Sequence, residues 1–177
     1  MFNELSEIRA LLVIYNIVEN EWNIREQNNS ITYSAIRDLL YGSFSYKIIM
    51  GLSKIFIGKK EYSLEKTINV ISQHEMYKKI PQVKIAIENI RDFLEHSEMV
   101  KIIATYRDDF FAHLDKICVM SDIRIYPNSA IKNIKMCDID MGINLIRDLY
   151  KECFGIYLKD IPYNLDSDDI IKTFFWM

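Results

Sequence analysis

Apolar residues return every three or four positions along most of the chain, and this spacing, which lines them up on one side of a helix, predicts the elements. From about Leu5 to Gln27 the stripe is Ile8, Leu11, Tyr15, Val18 and Trp22, and Asn28, Asn29 and Ser30 supply the turn after it. A longer run from about Thr32 to Ile57 carries Leu39, Leu40, Phe44, Ile48, Leu52 and Ile55, with Gly58 where a helix stop belongs. Gly42 and Gly51 fall inside that run. Each costs about 1 kcal/mol relative to alanine in a helix, so each marks a kink, a break or a close helix crossing.

Ser63 is placed to cap a short helix through about Gln73, with Leu64, Thr67, Ile68 and Ile71 facing inward. Pro81 suits the first turn of the next helix, whose stripe is Val83, Ile87, Ile90 and Leu94. Glu95, His96 and Ser97 bend or recap the chain, and a fifth helix is expected from about Glu98 to Asp115. Residues 118–137 lack a clear period and contain Pro127-Asn128-Ser129, the pattern of a loop. Asp138 or Asp140 then caps a last long helix ending near Tyr157. From Pro162 an acidic turn leads into an apolar tail, Ile170 to Met177.

The pattern therefore predicts an all-α protein, a compact bundle of five to six helices. Residues 1–160 form one domain, and the tail 161–177 packs on the bundle or on a partner. Composition agrees. Half of the 177 residues are apolar, while five glycines and three prolines leave little material for the turns of a sandwich or barrel.

The 22 basic and 25 acidic residues give a net charge of −3, which argues against an extended nucleic-acid surface needing many phosphate contacts and leaves room for a small local one. Cys118, Cys137 and Cys153 are odd in number and lack metal-ligand spacing, so reduced thiols are expected in place of a disulfide framework or a zinc site. The first apolar run, Ala10 to Val18, is preceded by acidic residues and interrupted by Tyr15 and Asn16, unlike a signal peptide or a membrane span. No membrane association is expected, and the cytoplasm is the default location.

One segment concentrates reactive chemistry. Tyr106 to Leu114 reads Tyr-Arg-Asp-Asp-Phe-Phe-Ala-His-Leu, a fixed cation and a proton shuttle with two carboxylates between them. Arginine keeps its charge at any working pH and matches phosphate oxygens, while histidine titrates nearest neutrality. On a regular helix Arg107 and His113 are about 120° apart in azimuth and about 9 Å apart along the axis, so they do not stack directly. Asp109 lies about 40° from His113 and Tyr106 about 20°, so those three share a face. Asp109 could then hold the imidazole in one tautomer, or the two could form a plain surface pair of about 0.2 to 0.5 kcal/mol. Spacing alone leaves both readings open.

An arginine, a polar residue and then a histidine, late in a helical bundle, resembles the motif of the HEPN superfamily. Tyr106-Arg-Asp-Asp-Phe-Phe-Ala-His-Leu-Asp115 is similar to its AbiU-type branch, named for abortive phage infection. Gly51-Leu-Ser-Lys-Ile-Phe-Ile-Gly-Lys59 with Ser63-Leu-Glu-Lys66 is similar to that branch's second helix and the short helix after it. Asn133-Ile-Lys-Met-Cys-Asp-Ile-Asp140 is similar to a strand-like lead into its last long helix. The resemblance spans about Leu5 to Tyr157.

It implies a homodimeric helical domain in which two motifs meet at a cleft and cleave RNA without a metal or other cofactor. Arg107 and His113 would be the active pair, Asp108 the polar residue after the arginine, and Asp109 and Tyr106 their support. The setting implied is phage defence or a toxin-antitoxin pair, with an antitoxin or another defence protein as partner. HEPN toxins paired with nucleotidyltransferases commonly carry a tyrosine two residues after the histidine. Asp115 stands there in this chain, so tyrosine modification is not implied. The alternative is a non-catalytic HEPN-like module that binds a protein or a nucleotide.

Other candidates carry weaker signals. Lys59, Lys60, Lys78 and Lys79 bracket the short third helix and could form a basic rim for RNA, with Tyr62 and Tyr77 for stacking, or could be solvated helix ends. His74 and His96 each sit beside a glutamate without a second ligand at metal spacing, as surface or helix-end residues do. Phe110 and Phe111 fit a core or subunit seam better than a base platform. Phe174-Phe175-Trp176 either packs on the bundle or docks on a partner.

Overall fold

The computed structural model describes residues 1–28, 34–58, 63–107, 128–159, 163 and 165–175. Among these are eight helices and no strand: α1 (Phe2–Gln27), α2 (Ser34–Phe56), α3 (Leu64–Gln73), α4 (Pro81–His96), α5 (Glu98–Tyr106), α6 (Asn128–Asn133), α7 (Met136–Phe154) and α8 (Ser167–Phe175). The all-helical class stands as predicted. Six helices fall in the expected order, the part of the fifth expected beyond Arg107 lying outside the described residues, and α6 and α8 are additional. None is long and apolar enough to cross a membrane.

Helix α1 is the hub, packing against α2, α7 and α8. Helix α4 covers another side of α7, α5 lies on α2 and α6, and α3 bridges α2 to α4. Along α1, Leu5, Ile8, Leu12, Tyr15, Val18 and Trp22 are buried, a 3-4 spaced seam through the middle of the bundle. On α2, Ile48, Leu52 and Ile55 are wholly buried. One continuous core runs from Phe2 to Leu149.

Two glycines set the tightest crossings. A Cβ on Gly51 of α2 would sit 2.6 Å from the Ile8 Cδ1 of α1, so this glycine marks a close crossing. A Cβ on Gly142 of α7 would sit 2.8 Å from Cζ of Phe56 and 3.7 Å from a methyl of Leu5. Gly42 has no such neighbour within 4 Å, and α2 runs unbroken through both of its glycines.

Local signals fix several ends. The Ser63 hydroxyl accepts from the Lys66 N–H at 3.3 Å, capping α3 as expected, and Pro81 opens α4. Gly155 ends α7 in the left-handed conformation, φ 66°, with its N–H on the Lys151 carbonyl, two residues before the expected end.

Three expectations need correction. Neither Asp138 nor Asp140 caps α7, because Lys135 is the N-cap residue and offers no side-chain cap. Asp138 lies inside the first turn, where a carboxylate still faces the positive helix end. Asp140 instead meets Arg9 of α1 at 2.5 Å. The supposed loop 118–137 is partly helical, since α6 precedes Ile134 and α7 has begun by Met136, and the strand-like lead is absent. Burial of Ile131, Ile134 and Ile139 sets this register in place of the polar capping residues.

The apolar tail forms α8 and packs on the bundle. Asp166 caps it, its Oδ1 accepting from the N–H groups of Asp168 at 2.8 Å and Asp169 at 3.2 Å. Phe174 meets Phe44 and Phe175 meets Trp22, with ring centroids 6.1 and 5.5 Å apart, and the Arg25 guanidinium lies 4.8 Å from the Phe175 ring centre. Trp176 lies outside the described residues.

The glycine contacts predict opposite outcomes at two helical positions. Gly142→Ala pushes a methyl into the packed Phe56 ring at about 1 to 3 kcal/mol, which outweighs the gain in helix propensity of about 1 kcal/mol. Gly42→Ala meets open space and gains about 0.5 to 1 kcal/mol. Urea unfolding should show the midpoint falling for the first and rising for the second, with unchanged slopes.

Candidate functional site

Helix α5 presents the first half of the predicted motif. Met99, Val100 and Ile103 are buried, and Tyr106, half-buried, packs against the core, which fixes the rotation of the helix. Arg107 continues it with φ −64° and ψ −47°, and its N–H donates to the carbonyls of Ile103 and Ala104. One residue past Tyr106 is about 100° of rotation. That turns Arg107 off the core and onto the wall of a groove of about 1050 Å³.

The opposite wall is one face of α2. Tyr46, Lys47, Met50, Lys54 and Ile57 recur at the spacing of a single helical side. Glu4 of α1 closes one end, accepting from Lys54 Nζ at 3.0 and 3.3 Å through its two carboxylate oxygens. Among the described lining residues, three cations thus face one carboxylate, in a protein whose net charge is −3. Lys54 also sits in the last turn of α2, where its charge offsets the negative helix end. Gly58, the residue before Lys59, lines the same groove.

The groove can hold an anion. Arg107 supplies a permanent charge and a planar fork of donors, and Lys47 and Lys54 supply point charges about two turns apart. Tyr46, about half exposed, offers a ring face at the rim.

Arg107 lines the groove, whereas Tyr106 turns to the core. Asp108, Asp109, His113, Lys59 and Lys60 lie outside the described residues, as do Tyr62, Phe110 and Phe111. Lys78 lies on a separate cavity of about 280 Å³ that shares no described lining residue with the Arg107 groove, and it pairs with Glu75. Lys79 is exposed nearby in the turn after α3. The Tyr77 ring is half-buried, with centroids 5.0 Å from His74 and 5.7 Å from Phe154.

No family model, curated protein or solved structure matches this chain. The site is therefore read from its own residues.

His74 Nδ1 accepts from the Met76 N–H at 3.3 Å, and His96 Nδ1 lies 3.1 Å from the Asp92 carboxylate one turn earlier. Both are surface or helix-end arrangements. Among the described residues no three His, Cys, Asp or Glu side chains gather as metal ligands would. The residues that sequence reasoning missed are Lys47, Lys54, Glu4 and Tyr46. The available signal was the seven-residue spacing of the two lysines on the C-terminal half of α2, with Tyr46 beside the first.

Of the thiols, Cys137 is exposed and Cys153 half-buried. Burial pushes the Cys153 thiol above its ordinary range, and the neighbouring Glu152 carboxylate adds to the shift. The thiolate is the reactive form, so Cys153 is kept protonated at neutral pH. Iodoacetamide at pH 7.5, followed by peptide mass mapping, should label Cys137 well ahead of Cys153. The gap should close only when the pH is taken above the ordinary thiol range, where the Cys153 thiolate appears.

Proposed function

We propose that this chain is a cytoplasmic, HEPN-like, metal-independent endoribonuclease that works as a homodimer in phage defence or a toxin-antitoxin pair. The observation that supports the reading is the place of Arg107: half-buried, at the end of a core-anchored helix, on the wall of a groove that two lysines also line. A guanidinium so placed can bind a phosphodiester and still meet solvent-borne substrate.

In this reading the 2′-hydroxyl of RNA attacks the adjacent phosphorus. The bond to the 5′-oxygen of the next nucleotide breaks, leaving a 2′,3′-cyclic phosphate and a 5′-hydroxyl end. His113 moves the proton, and Arg107 holds the phosphate and stabilises the charge that builds on its oxygens. Asp108 and Asp109 support the pair, and two motifs across the dimer surround one phosphate. An antitoxin or another defence protein is the partner that controls it.

The Glu4 carboxylate on Lys54 favours a second reading, a non-catalytic HEPN-like module that binds a protein partner or a nucleotide, because the pair leaves less positive charge in the groove for an extended RNA backbone.

The nuclease reading predicts that purified protein cuts RNA in the presence of EDTA and leaves 2′,3′-cyclic phosphate ends. Arg107→Ala should slow cutting about 10²- to 10³-fold and His113→Ala about 10²- to 10⁴-fold, with the helical circular dichroism unchanged. Cleavage that persists in both variants sinks it. Expression of the wild type should slow growth in a His113-dependent manner, whereas a binding module should not.

A further inference from the structure

We infer that the face of α2 carrying Tyr46, Lys47 and Lys54 is a track for single-stranded RNA leading to Arg107, and that Glu4 occupies Lys54 until a backbone phosphate displaces it. The inference rests on the nuclease reading and names its substrate class.

The geometry begins with the helix. Lys47 and Lys54 are seven residues apart, so they lie about 20° apart in azimuth and about 10 Å apart along the axis. Two ammonium groups on one rail at that separation engage different phosphates of one strand. Arg107 faces them from α5 across the groove, so three cations converge on one channel from two helices. Lys47 is exposed and has no ion-pair partner among the described residues.

Tyr46 decides between single and double strands. The residue is 53 % exposed and lines the groove beside Lys47. Stacking on an aromatic side chain requires a base splayed out of its helix, which a single strand offers and a duplex does not.

Glu4 acts as the internal competitor. Its carboxylate holds Lys54 through both oxygens, yet the Lys54 side chain remains 54 % exposed. An exposed pair of this kind is weak, and a phosphate can replace the carboxylate without leaving the lysine unpaired. The free protein thus ties the Lys54 ammonium to Glu4. The −1 charge of Glu4 reduces affinity at the same time, so removing that charge should tighten binding.

The test is fluorescence anisotropy of a labelled twelve-nucleotide single-stranded RNA in EDTA, with the protein in both the wild-type and His113→Ala backgrounds. Lys47→Gln and Lys54→Gln should each weaken binding about two- to fivefold. Each should also flatten the slope of log affinity against log salt by about 0.7. Lys54→Arg should bind as the parent does. Glu4→Gln should move both readouts the other way, tighter and steeper, and Tyr46→Ala should weaken binding more than Tyr46→Phe.

Circular dichroism confirms the fold of each variant. A parent-like affinity in both lysine variants, or no tightening in Glu4→Gln, overturns the track. Equal affinity for the matching duplex overturns the single-strand assignment. RNA that binds with these dependences and is never cut by the wild type overturns the nuclease reading and leaves the track standing.

Discussion

The fold depends on how closely three long helices meet at one turn of α1. Ile8 fills the space a Cβ on Gly51 would take, and Leu5 and Phe56 crowd the missing Cβ of Gly142. Larger residues at either position would push the axes of α2 or α7 outward and open the core between them. Arg9 and Asp140 join α1 to α7 at 2.5 Å, and Lys54 and Glu4 join α2 to α1 beside the same turn. These exposed pairs contribute little energy. They add orientation to a contact that packing has already made.

The groove follows from that crossing. Gly51, whose missing side chain lets α2 approach α1, also lines the groove, so the open space begins beside the tight contact. Glu4 is one residue from buried Leu5, and its carboxylate meets a lysine on α2 because the backbones are near. An acidic protein can hold a cationic channel here because charge acts locally. At physiological salt, interactions beyond about 8 Å are largely screened, so the rest of the surface weakens the groove's field only modestly.

Much of this was legible in the sequence, for different reasons at different places. The 3-4 stripes of α1 to α4 follow from burial alone, and Ser63 and Pro81 marked two helix starts through backbone hydrogen bonding. The start of α7 was misread because a polar capping signal at Asp138 competed with the burial of Ile134 and Ile139, and burial prevailed. Helix α6 was hidden because Asn128 and Ser129, which read as turn residues after a proline in the sequence, lie inside its first turn. Gly142 gave no warning, since its reason lies in Phe56, far away in sequence. At the site, Arg107 stood out by type. Lys47 and Lys54 did not, because lysines on a helix are ordinary until a second helix places an arginine opposite them.

That pairing of helices also explains why an arginine suits this position. Ile103 is wholly buried and Tyr106 packs on the core one turn later, so the rotation of α5 is set by groups that cannot leave the interior cheaply. Arg107 is the next residue, with helical dihedrals, and its N–H donates to the carbonyls of Ile103 and Ala104. Binding groups held on rigid elements lose less freedom when a ligand arrives than groups on loops. From that backbone position the side chain reaches the groove wall. The lysines opposite are anchored differently, on the exposed side of a helix whose other side is Ile48, Leu52 and Ile55. Lys54 is held by the Glu4 carboxylate, whereas the direction of Arg107 follows from the packing of α5, so the cations of one groove are placed by two different constraints.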